Sequence, residues 1–245
     1  MARLMRTARS VHRVLSYVVF AQLTIWILGG LTFAVLPFDS LVKGGAVTAP
    51  PESPAFPRDW MERVGPHAAA MGALDGLSVH DSSQGLLMEL RSGEARRWVR
   101  LADGRVVGRP EADALAAYAA GLYRGEGEIA AVRHLAEPEY RYLGLVDELY
   151  GRTDVWQVSF DDSQGTRLYF DGPTGRYLTV RNDYWVFYDA MWRLHIMDYS
   201  EGENFNNGLL RLFTPLALVF ALSGLFLTYA AARRALSGRR SARAA

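Results

Sequence analysis

The sequence predicts two transmembrane helices, a membrane hairpin, flanking an exported α+β domain. Three observations carry that reading: an apolar run lies near each end, arginines cluster outside both runs, and the residues between alternate in strand-like and helical patterns. Val14 to Leu36 contains no charged residue, and Leu209 to Ala232 contains only Arg211. About 20 apolar residues rising 1.5 Å each cross a hydrocarbon core of about 30 Å.

Residues 1–13 carry Arg3, Arg6, Arg9 and Arg13, and residues 233–245 carry Arg233, Arg234, Arg239, Arg240 and Arg243. Short segments that stay cytoplasmic retain such residues, so both termini are expected in the cytoplasm and the middle of the chain on the far side, the periplasm in a bacterium. A cleaved signal peptide is the competing reading of the first run. Its apolar stretch exceeds the roughly 7 to 15 residues of a signal, and no clear A-x-A site follows.

Averages hide this division. Half the residues are hydrophobic and mean hydropathy is near zero, because a polar domain dilutes two apolar helices. The net charge of +1, with arginine clusters at the two membrane flanks rather than on one domain face, gives no case for nucleic-acid binding. The absence of cysteine rules out disulfides, thiolate metal sites and cysteine nucleophiles.

Residues 37–57, rich in Pro and Gly and without periodicity, read as a linker. From Arg58 to about Leu74, Trp60, Met61, Val64 and Met71 are spaced for one apolar helix face. Two strands joined at Ser92 and Gly93 follow, then a tight turn at Asp103 and Gly104 with a short strand. Glu111 to Tyr123 reads as a helix, continued from Glu126 to Leu135 after a break at Gly125. Tyr140 to Leu145, Asp154 to Asp161, Thr166 to Asp171 and Arg176 to Val180 alternate as strands, separated by turns at 162–165 and 171–175. Helices should therefore pack on one face of antiparallel sheets, in a first unit over 58–136 and a second over 137–183. Helix followed by strands occurs twice, which suggests an internal duplication. Residues 184–208 read as an aromatic helix and an interfacial loop.

At this point the chain resembles a known family. VWQVSFDDSQGTRLYFDGPTGRYLTV resembles a PepSY unit, HRVLSYVVFAQLTIWILGGLTFAV resembles the PepSY-associated transmembrane helix, and WRLHIMDYSEGENFNNGLLRLFTPLALVFALSGLFL is similar to the two-span PepSY proteins of Gram-negative bacteria. The resemblance implies small α+β units, an inner-membrane location, and relatives that include iron-regulated membrane proteins and reductases carrying b-type haem.

The resemblance turns attention to His12, one turn before the first run, and His195, just before the second. A b-type haem needs axial imidazoles from facing helices. A bilayer separates these two, so they would serve only as pairs across a dimer or with a partner's histidines. The plainer reading makes His12 an interfacial residue and lets His195 bond Asp198 one turn later. His195, Asp198, Glu201 and Glu203 also form an oxygen-rich group that could hold a cation. Its spacing matches no known loop, and the alternative is a helix exit with Asn206 or Asn207 capping the second span. The aromatics Tyr184, Trp185, Phe187, Tyr188, Trp192 and Tyr199 suit either a membrane boundary or packing on the sheet.

Gln22, Trp26, Gly29 and Gly30, and Ser223 with Gly224, permit close helix contact at two different depths. They are either tolerated glycines or surfaces for a homodimer or a larger membrane complex. No hydrolase, metalloprotease, Walker or dinucleotide motif is present. The expected function is a non-catalytic membrane module that assists an uptake or redox complex. The alternatives are a haem subunit moving electrons across the membrane, in iron or siderophore reduction, and a peptidase inhibitor or chaperone.

Overall fold

The structure, a computed structural model, describes residues 2–49, 55–200 and 202–243. The chain divides into two compact units, one over 36–188 and the other formed by 2–35 with 189–243.

In the α+β unit, α2 (Trp60–Met71) precedes an antiparallel sheet of β1 (Gly76–His80), β2 (Leu87–Ser92) and β3 (Ala95–Arg100), in that order. Its helix face meets the sheet through Val64 against Met88, Leu90, Val99 and Leu101, with Trp60, Ala68 and Met71 around them. The β2–β3 hairpin turns between the Ser92–Ala95 pair, as the sequence predicts, and Val106 adds a single bridge to Val99.

The second sheet has the order β4 (Ile129–Leu135), β7 (Val155–Phe160), β8 (Arg167–Asp171) and β9 (Tyr177–Arg181), all antiparallel. Period-two alternation sends Val158, Phe160, Leu168 and Phe170 to one face. There α3 (Ala112–Leu122) covers them with Leu115, Ala119 and Leu122. The opposite face carries Val155, Gln157, Arg167 and Tyr169 and is also covered, by Leu149, Leu178 and the segment around Glu148. A small hairpin of β5 (Tyr140–Arg141) and β6 (Val146–Asp147) leads into that segment.

Ties between the sheets are polar. Tyr118 donates to Asp81 at 2.6 Å, the Ser83 amide to the Gly175 carbonyl at 3.1 Å, and Arg109 to both carboxylate oxygens of Asp154, which His134 also contacts.

Four readings of the sequence need correction. Residues 126–135 are not a helix: Glu126–Glu128 lie outside any regular element and 129–135 form β4, because pairing to β7 outweighs the helical bias of a stretch with two alanines. The boundary between the sheets falls near Arg109 and Pro110 rather than after 136, since α3 and β4 both belong to the second sheet. Tyr140 to Leu145 is a strand only at its first two residues, after which Tyr142, Leu143 and Gly144 turn through positive φ.

The fourth concerns the linker. Phe38–Val42 is a π-helical turn, Val42 and Val47 are buried, the Ala49 amide donates to Leu122, and Asn182 Nδ2 donates to the Leu41 carbonyl at 2.7 Å. Gly44, at φ 66°, lets this turn lie against Val180, where a Cβ would come within 3.1 Å. Residues 50–54 of the expected linker lie outside the described residues.

The helical unit consists of α1 (Ala2–Val35), the C-terminal part of α4 (Asp183–Ile196) and α5 (Gly208–Arg243). Arg3–Val35 and Gly208–Leu236 are long and apolar enough to cross a membrane. Only 17% of the first helix's most apolar window is buried, and none of the second's. Tyr17, Phe20, Ile27, Leu31, Leu218, Leu222 and Leu225 all lie on the surface. The core helix of a water-soluble protein would bury such a stripe, so this surface is suited to lipid.

Candidate functional site

The predicted histidines occupy two seats in the helical unit. At the first, α4 ends against α1. A helix leaves its last four carbonyls without intrahelical partners, and here all four are satisfied. The Arg193 carbonyl accepts from the Asp198 amide at 3.1 Å, Leu194 from Gln22 Nε2 at 3.3 Å, His195 from Trp26 Nε1 at 2.6 Å, and Ile196 from Asn207 Nδ2 at 2.8 Å. The polar side chains of an apolar helix thus cap α4, a use that their spacing of four residues permits on one helix face.

Gly29, one turn further along that face, receives the His195 ring: a Cβ there would lie 2.9 Å from Nδ1. Phe33 meets the same ring edge-on at 5.3 Å. Burial pushes the His195 imidazole below its ordinary value, and its Nδ1 is buried without a hydrogen-bond partner among the described residues. His195 makes no hydrogen bond to Asp198, contrary to the plainer reading of the sequence.

At the second seat, His12 stacks on Phe220 with ring centroids 4.3 Å apart, and its Nδ1 lies 3.0 Å from Ser223 Oγ and 3.2 Å from the Phe220 carbonyl. A Cβ at Gly224 would lie 2.9 Å from His12 Cε1. Gly29 and the pair Ser223 and Gly224 are therefore occupied by imidazoles of their own chain, which removes them as an argument for a dimer; Gly30 faces open space. Seventeen residues of α1 separate the two seats, about 25 Å of helix, so one chain cannot bring these histidines to a shared ligand.

Asp198 is drawn into the loop that joins α4 to α5. Its carboxylate accepts from the Ser200 hydroxyl at 2.7 Å and from the amides of Ser200, Glu203 and Asn204. Burial alone pushes an aspartate upward; these donors overcome it and hold Asp198 at about 2, against an ordinary 3.8. Among the described residues no three His, Asp or Glu side chains gather as a metal site, and Glu201 lies outside the described residues. Asn207 caps α5 through Oδ1, which accepts the Leu210 amide at 2.8 Å.

A depressed carboxyl contributes stability that is complete above its unfolded value and fades as pH falls through the folded one, here between about pH 4 and pH 2. Asp198→Asn is therefore expected to lower stability by about 2 kcal/mol at pH 6, with the difference closing near pH 2. Unfolding of both proteins in detergent across that range measures it. A difference that does not change with pH would show that the charge is not what the loop recognises.

Two groups were not foreseen from sequence. Arg193, only 2% exposed, donates to Asp189 at 2.6 Å and to the Ser200 carbonyl at 2.9 Å. In the α+β unit, Arg167 Nε donates to Glu148 at 3.0 Å, Tyr169 to the same oxygen at 2.6 Å, and Gln157 to the Tyr169 hydroxyl at 2.7 Å. The signal was available in part: Gln157 on one strand, and Arg167 and Tyr169 at alternate positions on the next, share a face. The remaining histidines have local partners, His67 on the Gly104 carbonyl, His80 beside Ser78 and Glu89, and His134 between Arg109 and Asp154.

The α+β unit also presents two open clefts. One of about 620 Å³ is lined by Leu149, Arg152, Leu178, Thr179 and Arg181, and one of about 540 Å³ by Tyr123, Glu126, Glu128, Asp161 and Asp162. Fold and site together define an α+β module on a chain with two membrane-length helices, whose imidazoles sit at helix contacts. No family model, curated protein or solved structure matches the chain.

Proposed function

We propose that this protein is a non-catalytic, two-span inner-membrane protein of a Gram-negative bacterium that presents a PepSY-like, internally duplicated α+β module to the periplasm, as an accessory to an uptake or redox complex. The observation that carries the non-catalytic reading is the use of both histidines within the chain, each closed in by a glycine of a facing helix. Arginines at both chain ends support the orientation. A helix followed by antiparallel strands in each sheet supports the duplication, and the basic and acidic clefts offer surfaces for a ligand or partner.

One feature favours a second reading, a b-type haem subunit that moves electrons across the membrane. His12 Nδ1 is held by the Phe220 carbonyl and Ser223, the kind of outer contact that orients a ligating imidazole and leaves Nε2 available. It would need a second copy of the chain, or a partner's histidine, opposite each ring.

A reduced-minus-oxidised absorption spectrum of the protein, purified in mild detergent from haem-replete cells, separates the two. The expected result is a colourless protein, with His12→Ala and His195→Ala leaving its partner complex intact. A stoichiometric b-type band, lost in those variants and kept in His67→Ala, His80→Ala and His134→Ala, would replace the module reading with electron transfer.

A further inference from the structure

The β5–β6 hairpin combines a braced base with an exposed tip of two tyrosines and a leucine. At the base, Val146 and Asp147 are buried, the Asp147 carboxylate accepts the amides of Leu149 and Gly151, and Arg141 Nε lies 3.4 Å from Glu148. At the tip, Tyr142, Leu143 and Gly144 hold φ of 50°, 57° and 93°. Only the glycine is at ease there, since a Cβ crowds the backbone in that region. Tyr140 and Tyr142 are 61% and 54% exposed, and Leu143 is fully exposed at 110%. A fully exposed leucine in a disfavoured conformation breaks local consistency in the way that functional sites do.

From this tip we infer that the hairpin is a lipid-docking element, which inserts Tyr142 and Leu143 at the headgroup boundary of the bilayer. The inference rests on the membrane-span reading. Three considerations select lipid over protein as the occupant. The tip offers on the order of 400 Å² of Tyr and Leu surface, about half of the roughly 800 Å² that a stable protein interface takes from each partner. The unit is joined in sequence to α1 and to the helix that leads to α5, so a bilayer is always within reach and a weak contact is enough. The composition fits the boundary: two tyrosines and a leucine, with Arg141 next to them in the chain and its side chain 44% exposed, and with the exposed acid nearest in sequence, Glu139, held by Arg133.

The chain has no cysteine, so Leu143→Cys gives one labelling site for an environment-sensitive fluorophore, and Met61→Cys, on an exposed side chain of α2, gives the control. In vesicles of mixed neutral and anionic phospholipid, the label at 143 should be blue-shifted and severalfold less accessible to a water-soluble quencher than the label at 61. Tyr142→Ser in the Leu143→Cys background should reduce that protection. Equal quenching at both positions, in a chain that alkaline carbonate does not extract, overturns this inference alone; release of the chain by carbonate overturns the span reading instead. Protection in native membranes but not in pure-lipid vesicles would assign the tip to a protein partner and overturn lipid docking.

Discussion

Glu148→Ala is expected to destabilise the α+β unit by about 3–5 kcal/mol, because it leaves the Arg167 guanidinium buried without its inner partner. The Glu148 and Arg167 side chains are 5% and 8% exposed, and the remaining carboxylate on Arg167, that of Asp183, is 71% exposed. The same change removes the acceptor of the Tyr169 hydroxyl, whose proton burial and the neighbouring Glu148 already hold far above the ordinary phenol range. Thermal unfolding of the full chain in detergent should show the loss as a fall of roughly 10 °C. Glu148→Leu combined with Arg167→Met should recover most of it, since an apolar pair of similar volume carries no desolvation penalty. A loss below about 1 kcal/mol for the single variant would mean that water reaches the pair, as it does at surface bridges.

Gly29→Val is the second change with a large expected effect. Its Cβ would fall 2.9 Å from His195 Nδ1, a contact that requires the ring or the helix to move. Overpacking of this kind typically costs about 1–3 kcal/mol, and here it also pulls α4 from the Gln22 and Trp26 side chains that cap it. His195→Ala should restore stability in the Gly29→Val background, a coupling that a double-mutant cycle reads directly. Gly224→Val should behave in the same way with His12→Ala, because His12 Cε1 lies as close to that position. Should His195→Ala fail to rescue Gly29→Val, the glycine would be answering to something other than this imidazole.

The two cases differ in how far sequence could anticipate them. Gly29, Ser223 and Gly224 stand out as small residues in apolar runs, and His12 and His195 stand out as the histidines at the ends of those runs. That each histidine fills the notch of the opposing small residue is a statement about three-dimensional pairing, and no spacing within one helix encodes it. Glu148 and Arg167 were hidden more completely. Each lies in a stretch of ordinary polar composition, and only the β7–β8 register, which sets Gln157 opposite Tyr169, shows that a whole sheet face is covered and that the charges on it are buried.

By itself the sequence determined the features that depend on local periodicity and composition. Two apolar runs of membrane length, helices at α2 and α3, the hairpin turn after Ser92, strands β7, β8 and β9, and an asparagine cap at Asn206 or Asn207 all follow from patterns within a few turns of chain. Tertiary structure decided the rest, because it turns on partners distant in sequence. Residues 129–135 became a strand when β7 offered a ladder, and residues 37–49 were ordered by contacts to Leu122, Val180 and Asn182 rather than by any propensity of their own. Two of the carbonyls at the end of α4, those of Leu194 and His195, found donors on a helix more than 160 residues earlier in the chain. Hydrophobic patterning says which surface must be covered; only the folded chain says what covers it, because burial and hydrogen-bond satisfaction are settled between elements rather than within them.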